Sequence, residues 1–186
     1  ISSDGQSIVW ASRILNSPLK ERVAGIDLMY KLIDLSSKNK HKIFFLGATD
    51  DIVTKLIGKI NKCYGSEIIA GWNNGYFEES DEGKIINKIN GSNPSILFIG
   101  ISSPKKEIFL NKYKNKLNVP FIMGVGGSFD VFVGKVKRAP IWMQKIGLEW
   151  FYRFIQEPRK MWKRYLFTNT IFLYRLFKEK LKISRG

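Results

Sequence analysis

Four short apolar runs, each with a glycine at or near its end, constrain this chain more than any other feature. They are IFFLG at 43–47, EIIAGW at 67–72, ILFIGI at 96–101 and PFIMGVG at 120–126. Continuous apolar runs of this length, without polar alternation, are the mark of strands buried on both faces. Between them lie segments of helical periodicity. Residues 51–63 place Ile52, Val53, Leu56, Ile57 and Ile60 near helical spacing, residues 81–89 form a second such segment, and a third begins near Lys105. Upstream, 25–36 also reads as a helix, and DGQSIVWASR reads as a loop entering a helix or strand. Strand–helix alternation predicts an α/β core, a Rossmann-like parallel sheet covered on both faces. Ligands of such sheets bind beyond the carboxyl ends of the strands. Those ends fall at Gly47-Ala48-Thr49, Gly71-Trp72-Asn73, Gly100-Ile101-Ser102 and 124–129.

After residue 134 the pattern changes. Residues 140–156 (PIWMQKIGLEWFYRFIQ) read as one helix with Pro140 in its first turn, and 159–182 as a long helix rich in aromatic and basic residues after Pro158. We therefore expect a core over 1–134 and a helical, basic, membrane-binding appendage over 135–186. The charge divides at the same place. Residues 135–186 hold 14 lysines and arginines against three acidic residues, and so carry +11 of the chain's +15. Such a segment seeks a polyanion, an anionic membrane surface or a diphosphate. Its apolar stretch is too interrupted to span a bilayer, which takes roughly 20 apolar residues. Met161, Trp162, Tyr165, Leu166, Ile171, Phe172, Leu176 and Phe177 interleaved with lysines and arginines suit a helix lying in the membrane interface. A core-packing helix or an oligomer contact is the plainer reading. A nucleic-acid-binding module would also use basic charge. An RNA reader, however, more commonly sets its aromatics on a sheet face, so nucleic acid is not an expected partner.

Several chemistries are disfavoured. The single cysteine, Cys63, cannot form an intrachain disulfide, and one histidine, His41, with no CxxC or HExxH pattern, does not make a His/Cys metal site. No signal peptide is visible. Residue 1 is Ile and the opening ISSDGQSIV reads as the middle of a motif, so we expect further residues before it.

The richest segment is GVGGSFDVFVGKVKRAP at 124–140. Gly126 and Gly127 follow a strand, and Ser128 is placed to cap a helix starting near Phe129. A glycine turn opening onto a helix suits a nucleotide or phosphate, and a plain tight turn equally. Asp130, flanked by Phe129 and Val131, is expected to be buried and to need donors, from a helix cap or from a ribose or uracil. Gly47 closes the first strand where close backbone approach to a ligand is expected.

The stretch from 124 to 165, GVGGSFDVFVGKVKRAPIWMQKIGLEWFYRFIQEPRKMWKRY, resembles the signature region of the WecG/TagA/CpsF glycosyltransferases (glycosyltransferase family 26). DGQSIV (4–9), ERVAGIDL (21–28), LGAT (46–49), GYF (75–77) and SPKKE (103–107) fit as well, so the resemblance covers nearly the whole chain. It implies a UDP-sugar donor of the N-acetylmannosamine type, an undecaprenyl-diphosphate-linked GlcNAc acceptor, and inversion without a required metal or other cofactor. It implies a role in cell-surface polysaccharide or teichoic acid biosynthesis, at the cytoplasmic face of the bacterial membrane as a peripheral protein. A second copy of the chain is a further candidate partner. On matching positions, Asp4 takes the part of general base, deprotonating the acceptor hydroxyl, although Asp4-Gly5 also reads as a plain turn. Asp130 takes the part of a nucleotide-contacting aspartate. Arg153, Lys160 and Lys163 become cations reaching the donor diphosphate, where they offset charge on departing UDP. The family favours arginine at the last two positions, and lysine lacks its bidentate fork. In SPKKE, Lys106 stands where the family has a substrate-binding glutamine, which points to an altered donor or weakened catalysis. Glu107 is expected to pair with a cation or cap locally, Arg22 is a further candidate, Arg138 is expected in a salt bridge that docks the appendage, with phosphate contact as the alternative, and Tyr76 and Phe77 are expected in the core, with ligand stacking as the alternative.

Overall fold

A computed structural model of the chain describes residues 6–19 and 23–183, with the side chains of 160, 161, 163–166 and those beyond 181 outside that description. The chain parts into two compact units. One comprises Gly25–Lys135 and the other Ile1–Ala24 with Val136–Gly186.

The first unit is the α/β core. Its elements in chain order are helix α2 (Gly25–Asn39), strand β1 (Ile43–Gly47), α3 (Asp50–Tyr64), β2 (Ile69–Asn73), a 3-10 turn (Glu79–Asp81), α4 (Glu82–Gly91), β3 (Ile96–Gly100), α5 (Lys105–Tyr113), β4 (Phe121–Gly124) and α6 (Ser128–Val133). The four strands form one parallel sheet in the order β2-β1-β3-β4. All four expected strands are present. The connection after β1 runs toward one edge and that after β3 toward the other, so the order reverses between these two strands.

Alternation along each strand sorts the core into two layers. Phe44, Leu46, Leu97 and Ile99 join Ile85, Ile86 and Ile89 of α4 and Phe109 and Tyr113 of α5 in one apolar cluster. On the other face, Phe45 lies opposite Phe98 in register, and its ring meets the rings of Phe98 at 5.8 Å and Phe129 at 6.0 Å. Phe44, Phe45, Phe98 and Phe129 are fully buried, and each such ring contributes roughly 1.5–3 kcal/mol through burial. Helix α3 presents Ile52, Val53, Leu56 and Ile60 to the interior, with Asp50 and Asp51 in its first turn, where carboxylates suit the helix dipole. The Lys59 ammonium donates to the Phe132 and Val133 carbonyls at 3.3 and 2.9 Å, binding α3 to the end of α6.

The second unit holds α1 (Gln6–Ile14), α7 (Ile141–Lys145), α8 (Glu149–Gln156) and α9 (Pro158–Ile183). The opening segment is thus helical from Gln6. The single helix expected over 140–156 is two helices instead. Gly147 adopts a left-handed φ of 79°, and the space a Cβ would need is filled by Gln6, whose Cγ lies 2.6 Å from that position. Around this break, Gln156 clamps the Lys137 backbone, accepting from its N–H at 3.0 Å and donating to its carbonyl at 2.9 Å. Pro158 is the first residue of α9 and belongs to the helix it was expected only to precede. Among the described residues no helix is long and apolar enough to cross a membrane.

A Cβ on Gly100 would sit 2.7 Å from Cδ2 of Phe129, a ring pinned by Phe45. Gly83, on the exposed side of α4, has nothing within 4 Å of its Cβ position. Gly100→Ala is therefore expected to destabilise by about 1–3 kcal/mol through overpacking, while Gly83→Ala stabilises by about 0.5–1 kcal/mol. Urea denaturation of the two variants should give midpoint shifts of opposite sign.

Candidate functional site

The carboxyl ends of the central strands are drawn tightly together. Gly47 has φ of 140°, and a Cβ there would lie within 2.6 Å of the Gly100 Cα. The Ala48 N–H donates to the Gly100 carbonyl at 3.1 Å, and Ala48 itself has φ of 57°. A Cβ on Gly100 would also lie 3.3 Å from the Gly126 carbonyl oxygen. The core thus gathers Gly47, Gly100 and Gly126 at one rim. The bareness of Gly47 serves contact between strands. Gly126, at φ 53°, faces open space. Gly127 has an ordinary negative φ and precedes the first turn of α6.

Two expectations about this turn are corrected. Ser128 does not cap α6. It is the helix's first residue, and its hydroxyl donates back to the Val125 carbonyl at 2.7 Å. Asp130 is not buried among apolar neighbours. Phe129 takes the interior position, and the Asp130 carboxylate is partly exposed, 3.4 Å from the Lys135 ammonium. Because α6 is short, Lys135 just beyond it can reach back to a carboxylate in its first turn.

Lys106 lies at the same edge of the sheet. Its side chain crosses Gly124 at the end of β4, where a Cβ would come within 3.0 Å of the Lys106 Cδ. Its ammonium pairs with Glu107 at 3.1 Å. Desolvation pushes the Glu107 carboxyl up, but the Lys106 ammonium, the Glu107 backbone N–H and the Ser103 hydroxyl together hold it below its ordinary value. The peptide bond between Ser103 and Pro104, just ahead of this helix, is cis.

The remaining expected residues lie elsewhere or outside the description. Arg153 sits on α8 in the second unit. Its Nε lies 4.0 Å from a Glu157 carboxylate oxygen and makes no hydrogen bond. Arg138 pairs with Glu149 at 3.2 Å inside the same unit. Asp4 and Arg22, and the side chains of Lys160 and Lys163, lie outside the described residues. Cys63 is exposed near the end of α3. Among the described residues no three His, Cys, Asp or Glu side chains gather as a metal would require.

One feature near the end of β2 was only partly anticipated from the sequence. A cleft of about 320 Å³ opens beyond the end of β2, lined by Asn73, Asn74, Tyr76, Phe77, Asp81, Lys84, Ile85 and Lys88. Phe77 packs on the core as expected, but Tyr76 does not, since 78% of it is exposed. The loop that carries it is held from several sides. Asn74 donates to both Asp50 carboxylate oxygens at 2.9 and 3.0 Å, and its own amide oxygen accepts from the Tyr76 N–H at 2.9 Å. The Gly75 N–H donates to the Ala48 carbonyl at 2.8 Å. The Lys105 ammonium donates to the Phe77 carbonyl at 2.6 Å and stands 4.1 Å from the centre of the Phe77 ring. Lys88 donates to the Trp72 carbonyl at 2.8 Å. On the far side, Lys112 bridges Glu79 and Glu82, which depresses the Glu79 carboxyl and raises the lysine. The signal in the sequence was the Asn-Asn-Gly-Tyr run immediately after an edge strand.

Comparison with known proteins places the chain in a family. The sequence pattern of the Glycosyl transferase WecG/TagA/CpsF family matches residues 1–186. The chain belongs to this family. Its relatives include a protein of Bacillus subtilis (strain 168) that is 38% identical over 98% of this chain and 70% of its own length. A second, from Bacillus spizizenii, is 36% identical over 89% of this chain and 63% of its own length. A third, from Staphylococcus aureus (strain MW2), is 35% identical over 100% of this chain and 72% of its own length. All three are named N-acetylglucosaminyldiphosphoundecaprenol N-acetyl-beta-D-mannosaminyltransferase. The chain therefore spans between 63% and 72% of the length of these family members.

The Lys106–Glu107 pair yields a titration. A carboxyl depressed in the folded state stabilises above its unfolded pKa, and that contribution is lost as pH falls through the folded value. Solvent exposure keeps the contribution small here. Lys106→Gln is expected to return the Glu107 pKa upward toward its ordinary value, read from the side-chain carboxyl carbon by NMR titration. An unchanged Glu107 titration would break the pairing.

Proposed function

We propose that this chain transfers an N-acetylmannosamine-type sugar from a UDP-sugar to a polyprenyl-diphosphate-linked N-acetylglucosamine, with inversion, in the assembly of a cell-surface polysaccharide or teichoic acid. The observation that carries the reading is the family match over residues 1–186, joined to three relatives at 35–38% identity whose names state that transfer. The core supports it physically. Its sheet order reverses between β1 and β3, where parallel sheets bind ligands, and Gly126 leaves the rim open to a nucleotide. In this reading UDP lies along the Gly47–Gly126–Gly127 rim with Asp130 toward the ribose or base. Asp4 accepts the proton of the attacking hydroxyl. Arg153, Lys160 and Lys163 supply the positive charge that leaving UDP requires, with no metal or other cofactor taking part.

A peripheral position at the cytoplasmic face of the membrane belongs to the same proposal, because a lipid-linked acceptor does not leave the bilayer. Helix α9 supports it. Trp162, Phe167, Ile171, Tyr174, Phe177 and Leu181 are exposed on a helix that also carries Arg175, Lys178 and Lys180. Apolar rings beside cations suit a headgroup region, at about 1 kcal/mol per basic residue near an anionic leaflet.

A second reading follows from Lys106. With a lysine engaged by Glu107 in place of glutamine, the chain binds a UDP-sugar but transfers it slowly or prefers another donor. Lys106→Gln separates the two readings, since turnover with UDP-N-acetylmannosamine rises only under the second.

The transfer is tested with a panel of UDP-sugars and a short-chain lipid-diphosphate-GlcNAc acceptor in detergent. Product is expected with UDP-N-acetylmannosamine. Asp4→Asn is expected to cut turnover by at least about a hundredfold, the scale of general-base catalysis, while UDP binding stays near normal. Near-normal turnover in that variant would remove Asp4 from the mechanism. In co-sedimentation, the chain is expected to bind phosphatidylglycerol vesicles, to release them as salt rises, and to bind phosphatidylcholine vesicles weakly. Equal indifference to both lipids would refute the membrane assignment.

A further inference from the structure

We propose that Lys105 is a positioning residue for the nucleotide, acting through the backbone of the turn at 75–77. The inference rests on the reading of the rim as a UDP-sugar site, and it gives a role to a lysine that the transfer described above leaves unused.

The first observation is where the charge of Lys105 is directed. Lys105 is the first residue of α5. A cation in a first turn opposes the helix dipole, so the helix gains nothing from a lysine there. The ammonium is turned onto the loop after β2 instead. It donates to the Phe77 carbonyl at 2.6 Å, reaches the Gly75 carbonyl at 3.4 Å, and stands 4.1 Å from the centre of the Phe77 ring. Lys106, one residue on, pairs with the Glu107 carboxylate, whereas these contacts of Lys105 are with carbonyls and a ring face. Hydrogen bonds from an ionised donor are roughly twice as strong as neutral ones. Both bonds are partly buried, and a carbonyl that loses its donor in such a place carries a desolvation cost.

The second observation is how the turn is seated. Gly75 is held at both its polar backbone groups. Its N–H donates to the Ala48 carbonyl at 2.8 Å, and its own carbonyl faces Lys105. A Cβ on Gly75 would lie 3.1 Å from the Gly47 Cα. The turn therefore rests on the end of β1, at the rim assigned to the nucleotide, with α5 holding it from the other side.

The third observation concerns the whole rim. The Lys106 side chain crosses Gly124 at the end of β4. In the order β2-β1-β3-β4 the strands β2 and β4 are the outer pair. Two successive residues at the start of α5 thus grip the two flanks of the rim, and Lys105 fixes the flank after β2. Loss of its ammonium frees that flank while Lys106 keeps the other in place.

The test compares the full chain with Lys105→Met and Lys105→Arg. Methionine is close to lysine in length and can fill the same place against the Phe77 ring, and thermal unfolding checks that both variants stay folded. In Lys105→Met the Gly75 and Tyr76 amides are expected to exchange with solvent about tenfold faster, as local opening becomes easier. If the competent turn falls to about a tenth of the population, the Kd for UDP and the KM for UDP-N-acetylmannosamine each rise about tenfold. The value of kcat should stay within about threefold, the pattern of lost binding and not of lost chemistry. Lys105→Arg keeps a cation for the carbonyls and the ring, and should return exchange, Kd and KM to within about threefold of the unaltered chain. A merely structural role would instead lower the folded fraction, and with it the apparent kcat, at unchanged KM. That split, unchanged amide exchange in Lys105→Met, or an arginine variant as impaired as the methionine one each overturns the assignment. An unaltered chain that fails to bind UDP sinks the glycosyltransferase reading, while amide exchange still decides separately whether Lys105 anchors the turn.

Discussion

The meeting of Gly47 and Gly100 beneath the ring of Phe129, where neither residue has room for a Cβ, sets the geometry above the sheet. Neither glycine has room for a side chain. Their pairing brings the ends of β1 and β3 level in register, and the Ala48 N–H seals the junction on the Gly100 carbonyl. From there the loops diverge, one toward the cleft after β2 and the other toward the turn at Gly126. A side chain at Gly47 would push β1 from β3 at the point where the sheet order reverses, and one at Gly100 would displace the Phe129 ring.

Above that junction the core divides its polar chemistry into two groups. Around β4, Lys106, Glu107, Asp130 and Lys135 form two short ion pairs, both partly open to solvent. Around β2, carbonyls are held by lysines and amides, and the Tyr76 ring is left exposed. The first arrangement suits charged groups that exchange partners easily, because such pairs are weak and screened.

Much of the core was legible because burial dominates it. IFFLG and ILFIGI have no polar position to spare, so their strand character follows from composition; their place at the centre of the sheet does not, since the equally apolar FIMG lies at an edge. Helix α3 was legible from its apolar spacing. The break at Gly147 was not, because the residues on either side keep helical periodicity and only a left-handed φ, occupied from one side by Gln6, interrupts it. Ser128 misled because a serine after glycines resembles a cap, whereas the chain turns one residue earlier. Tyr76 misled for a similar reason. Aromatic residues default to the interior, and nothing local announces that Asp50, 26 positions away, holds this loop open. The family was legible from motif length, while the partition that groups residues before 25 with those after 135 was not, since it depends on contacts between distant parts of the chain.

The bridge from Asp50 through Asn74 to the Tyr76 N–H has an implication for exchanging parts among relatives. It makes the turn after β1 and the turn after β2 one mechanical piece, although α3 separates them in the chain. A chimera that imports the second turn without the first inherits an asparagine with no carboxylate to grip. Recombination within this family should therefore respect a cassette running from Ala48 to Phe77, with crossover points placed before β1 or after the 3-10 turn.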